Sequence, residues 1–196
     1  VVEITTESHW PKAFESAVAN LSLAATRREI GLIQIPAPKN LASHSIAFAA
    51  SVESVQSSGE TELSSGRFVL LHEPRIQPEW NSFFRVVCFA KSPIELDIAD
   101  DHLAADVAWG WITSSLRQRN AEYAHAAGTA TRVISSGYGS LAEQTNHAEL
   151  ELRASWSPQD DHFGRHLEAW QDLVCLMGGQ ADPSENVTSL SVKSNL

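Results

Sequence analysis

Asp160, Asp161, His162 and His166 are the densest group of potential metal ligands in the chain. His162 and His166 stand four residues apart, which puts both imidazoles on one face of a helix. A neighbouring aspartate would complete a Zn²⁺ site. The glutamate and glycine that accompany the known helical zinc motifs are absent. Two acidic residues ahead of an apolar periodic run are also what a helix start uses, because carboxylates meet free N–H groups and the positive end of the dipole there. The aspartates are therefore read as caps and the histidines as solvated. No tightly bound metal and no other cofactor is expected.

His147, Glu149, Glu151 and Arg153 alternate along the chain and so share one face of a strand. Such a set does acid–base work only where that face lines a pocket. The simpler reading is a solvent-facing strand with an ion pair. Serine, histidine and aspartate are plentiful, but no nucleophile elbow occurs. The run Ser135-Ser136-Gly137-Tyr138-Gly139-Ser140 lacks the spacing and the lysine of a phosphate loop, and reads as a strand end and turn. No catalytic residue is assigned. Among Trp109, Trp111, Trp156 and Trp170, core packing is the expectation. Trp109, at the edge of an apolar helical stripe, is the one candidate anchor for a protein partner.

The elements that would position these residues are legible from periodicity. A long helix entered through Asp100 or Asp101 and running to Tyr123 organises the chain, with Leu103, Val107, Ala108, Trp111, Ile112, Ser115 and Leu116 as its buried stripe. Gly128 is read as its stop. A first helix spans about 11 to 24, with Pro11 at its start. Ile30 to Ile35, bounded by Pro36 and Pro38, is an extended edge segment. His44 to Glu53 alternates between a bulky face (Ile46, Phe48, Ala50, Val52) and a small one (Ser45, Ala47, Ala49, Ser51). Residues 54–65 read as a polar loop. Arg67 to His72 is a strand, and Phe83 to Ala90, apolar on both faces apart from Arg85, is a central one ended by Ser92-Pro93. Thr129 to Ser136 and His147 to Trp156 are strands. A last helix carries Phe163, Leu167, Trp170, Leu173, Val174 and Met177 and ends at Gly178-Gly179. Ser-Pro, Asp-Asp-His and a Trp-bearing helix follow a strand pair twice, a faint internal echo.

Bulk numbers bound the function. At 196 residues, 43% hydrophobic and 19% charged, the chain is ordinary globular material able to bury a core. Fourteen basic against twenty-four acidic residues give a net charge of −10, which disfavours duplex nucleic acid and anionic membrane. No apolar run approaches the roughly 18 residues of a membrane helix. No charged head followed by an apolar stretch marks a signal peptide. Cys88 and Cys175 lie in apolar contexts outside any CxxC, as buried free thiols of a reducing compartment do. The expectation is a cytoplasmic protein.

PKNLASHS at 38–45, RFVLLHEP at 67–74, Glu79-Trp80, RVVCFA at 85–90, DVAWGWI at 106–112, LELRASW at 150–156 and HLEAW at 166–170 form a distinctive set. Together they resemble an actinobacterial family catalogued as domain of unknown function 3000. The resemblance covers about residues 13 to 192. It implies no activity, cofactor or catalytic residue. Its one functional hint is an RNA-processing context, from the proximity of such genes to one resembling ribonuclease D.

The expected fold is α+β, with an antiparallel sheet of about five strands and helices mainly on one face. Residues 1–9 are expected to be a flexible N-terminus, 10–179 a single domain and 180–196 a mobile tail. The expected function is non-catalytic protein binding, through the sheet face or the Trp-bearing helix. The alternative is an enzyme or small-molecule binder with a pocket between sheet and helices, where Ala47, Ala49 and Ser51 leave room. The oligomeric state is not legible.

Overall fold

The computed structural model describes residues 4–5, 10–56, 59–142 and 146–180. The expected N-terminal and C-terminal tails therefore lie mostly outside the described residues. The chain begins with helix α1 (Lys12–Ser22), then runs through four strands, β1 (Ile30–Ile35), β2 (His44–Gln56), β3 (Gly59–Gln77) and β4 (Ser82–Ile94). Two helices, α2 (Leu96–Asp100) and α3 (Ala104–Gln118), lead to β5 (Tyr123–Ser135), β6 (His147–Pro158) and α4 (Phe163–Met177). The six strands form one sheet in the order β1-β2-β3-β4-β6-β5, with every pair antiparallel. An α+β fold with an antiparallel sheet is thus what the alternating patterns foretold, with one strand more.

Successive strand residues point to opposite faces, and one face carries nearly all the bulk. Ile46, Phe48, Phe68, Leu70, Val86, Leu152 and Trp156 meet α1, α3 and α4 in a single core. α1 contributes Phe14, Val18 and Leu21; α3 contributes Ala108, Ile112 and Leu116. α4 lies deepest: even its polar His166, Gln171 and Asp172 are buried. A helix buried on most sides must have its polar groups met. Asp172 accepts from Arg27 at 3.2 Å and from Arg119 at 2.7 and 2.9 Å, and Gln171 bonds the backbone of Ala25 and Arg27. Glu168 accepts from Arg119 at 3.1 Å and from the Ala25 N–H. These bonds tie the chain after α1 and the end of α3 to α4, which makes α4 the centre of the helical layer. The Asp100–Tyr123 stretch is not that centre.

That stretch departs from expectation in three ways. It is two helices, broken where the Asp101 carboxylate accepts the Leu103 N–H at 2.9 Å. Arg132 of β5 holds the break by donating to the carbonyls of Ala99 and Asp101. The buried stripe is rotated, leaving Leu103 and Val107 about half exposed. Gly128 stops no helix: it sits inside β5, where an added Cβ would come within 2.6 Å of both the Trp109 ring and the Arg153 carbonyl. Close approach requires glycine there. Residues 54–65 also differ, because β2 and β3 continue their pairing beyond a bulge at Val52/Glu53. β4 likewise runs through Ser92 and Pro93 to Ile94, opposite β6.

Candidate binding groove on the open sheet face

Among the described residues, no helix covers the other sheet face. Ala47, Ala49 and Ser51 point to it from β2, Val69 and Arg67 from β3, and Val87 and Phe89 from β4. At one end, Ala47, Val69 and Leu71 form a minor cluster with Ile35, Ala37, Ala42 and Trp80, from the end of β1, the chain between β1 and β2 and the turn after β3. The rest of the face is an open groove of about 770 Å³. Its floor is made by Ala49, Val69, Val87 and Phe89, with Ile33 at the β1 edge and Pro38 and Leu41 as one wall. The small face noticed in β2 does leave room, but on the side away from the helices.

Charges ring this floor. Arg67, Lys91 and Arg153 line the groove against one carboxylate, Glu62. Arg153 lies over the Phe89 ring at 5.0 Å and bonds Glu151 at 2.6 Å. Lys91 faces Glu149 at 4.0 Å, and Glu62 accepts from Ser65 Oγ at 2.9 Å. Arg67 is exposed in the middle of the sheet, with Ala49 and Phe89 as its cross-strand neighbours. Its side chain makes no hydrogen bond or ion pair with another described residue. A single arginine in a strand carries no motif, and only the sheet order places it at the centre of a face that no described helix covers.

The sequence candidates land elsewhere. His147, Glu149, Glu151 and Arg153 do share the outer face of β6, yet only Arg153 lines the groove. Asp160 lies 3.7 Å from His162 and 3.9 Å from His166. His166 is fully buried and its Nδ1 accepts the Trp156 indole N–H at 3.0 Å. It is therefore not the solvated residue expected. Among the described residues no group of three or more His, Cys, Asp or Glu is placed to hold a metal. The Asp160 carboxylate accepts the His162 N–H at 2.8 Å, so it shapes the turn before α4. Ser135 ends β5 and Gly139–Leu141 is a short 3-10 turn. Trp156 and Trp170 are core. Trp109 and Trp111 are both half-buried against it, so Trp111 is less enclosed than its place on the stripe suggested. Trp109 lies over Gly128 of β5.

Other polar groups are used internally. Arg85, 8% exposed, donates to Ser155 Oγ, Ser157 Oγ and the carbonyl of His125, whose φ of 51° belongs to a bulge in β5. Burial holds its pKa below the usual arginine value. His44 and His72 approach at 3.4 Å between Nδ1 atoms under Phe14, and burial followed by the His44 charge pulls His72 below the usual histidine value. Cys88 and Cys175 are free and buried, and burial pushes both thiols up to about 12. A second hollow of about 670 Å³ follows β1. There the Gln34 side-chain amide bonds the backbone N–H and C=O of Thr5. No described helix is long and apolar enough to cross a membrane.

No curated protein and no solved structure matches the chain. The family profile described as protein of unknown function (DUF3000) matches residues 10–188, nearly the whole chain, and the protein belongs to that family.

Proposed function

We propose that this protein is a non-catalytic binding module that receives a partner protein on the open face of its sheet. The observation that supports this most is the uncovered apolar floor beside a filled core: Val87 and Ile33 are 36% and 61% exposed, on the same sheet whose other face is packed by three helices. Apolar area of this kind gains from being covered. Near the groove Arg153 is paired with Glu151, Lys91 faces Glu149 and Glu62 holds the Ser65 hydroxyl, with the Arg67 side chain the exception. The two buried, protonated thiols fit a cytoplasmic setting.

Site-specific photo-crosslinking in cells tests the reading. A benzophenone side chain placed at Val87 or at Ile33 is expected to give an adduct with the same protein. At Leu23, 77% exposed at the end of α1, it is expected to give none. Absence of adducts from both groove positions, or equal adducts from Leu23, would remove the proposal.

A further inference from the structure

We infer that the occupant of the groove is an apolar segment of a partner protein that carries a carboxylate, and that this carboxylate is bound by Arg67. The inference rests on the protein-binding reading above and adds the chemistry of what is bound.

The argument starts from the cost of covering Arg67. While the face is open, water solvates its guanidinium. An occupant that fills the floor over Ala49, Val87 and Phe89 takes that charge out of water, since Ala49 and Phe89 are its direct neighbours across β2 and β4. A desolvated cation without an anion is heavily unfavourable. A planar guanidinium meets a carboxylate through two parallel N–H···O bonds, which are among the stronger hydrogen bonds in proteins. Arg153 and Lys91 already face Glu151 and Glu149. Arg67 is thus the cation left for an incoming group. With Glu149 and Glu151 set against Lys91 and Arg153, and Glu62 at the rim, the groove is close to neutral in a chain of net charge −10.

Other occupants fit less well. Single-stranded nucleic acid uses aromatic rings for base stacking. The groove offers one ring, Phe89, already under the Arg153 guanidinium at 5.0 Å. The rest of its floor and wall is aliphatic. A second copy docked face to face about a two-fold axis would bring like charges together, Arg67 and its neighbours against themselves.

The test is selection of a random twelve-residue peptide display library on the full chain, followed by fluorescence anisotropy with the recovered peptides. Expected sequences combine several apolar residues with an Asp or Glu. Arg67→Ala is expected to weaken binding by about tenfold or more while leaving the thermal melt in place, because the side chain is exposed. Changing the peptide carboxylate to its amide should cost the same, and should cost nothing further in Arg67→Ala. Recovered peptides without acidic residues, or indifferent to Arg67→Ala, overturn the inference. If Val87→Glu still abolishes their binding, the protein-binding reading survives that result. If no recovered peptide responds to Val87→Glu, or if oligouridine or dodecanoate binds the groove more tightly than any peptide, both fall.

Discussion

Trp156 decides the tautomer of His166. Its indole N–H donates to Nδ1, so the imidazole proton sits on Nε2, which has no hydrogen-bond partner among the described residues. At 0% exposure the imidazolium form is costly. Burial outweighs the pull of Asp160 and, with Arg165 and His162 adding repulsion, lowers the pKa from 6.5 to about 4. Between those values the unfolded chain binds a proton that the folded chain does not. Stability is therefore full above about pH 6.5, falls as pH drops through that window and levels off below about 4, a loss of about 3 kcal/mol from this residue. Urea melts at a series of pH values should show that slope, and His166→Gln, which keeps an acceptor for Trp156, should flatten it relative to the unchanged protein. An equal slope in both proteins would place the acid sensitivity elsewhere.

At the scale of elements, α3 and β5 meet through a gap sized for glycine. In Gly128→Ala the new Cβ would press on the Trp109 ring and on the Arg153 carbonyl, each at 2.6 Å. The expected cost is roughly 1–3 kcal/mol, read from denaturant melts. Adding Trp109→Ala should recover only part of it, since the carbonyl is backbone and cannot turn aside. This contact also explains where sequence reading failed. Residues 121–128, AEYAHAAG, are rich in alanine and hold no β-branched residue, so local propensity favours continuing the helix. The strand begins at Tyr123 because β6 supplies a partner from Pro158 onward. By contrast, β6 was legible because Leu150, Leu152, Ala154 and Trp156 alternate without interruption, and α4 because its apolar spacing is dense. The Arg27–Asp172–Arg119 cluster was invisible, since its members are separated by 145 and 53 residues. Arg67 was placed in a strand correctly, but its missing partner is a property of the assembled sheet.

For the whole molecule, the strand order has a consequence for the route by which the chain assembles. Four of the five strand pairs join neighbours in sequence, while β4 and β6 meet across the intervening α2, α3 and β5. Hairpins close within microseconds, whereas pairing distant strands must first overcome a larger loss of chain entropy. The hairpins should therefore form early, and joining β4 to β6 should limit the rate. Leu152, fully buried opposite Ala90, reports on that junction, and Phe14, fully buried in α1, reports on a helix that docks against the finished layer. Both alanine substitutions should cost roughly 2–5 kcal/mol. In stopped-flow chevrons, Leu152→Ala is expected to lose it mainly through slower folding and Phe14→Ala mainly through faster unfolding. The reverse pattern would mean that the helical layer gathers first. Until β4 and β6 join, the early ribbon of β1 to β4 leaves the outer edge of β4 free and the hairpin of β5 and β6 leaves that of β6 free, and this is the interval in which a newly made chain is most open to pairing with the wrong neighbour.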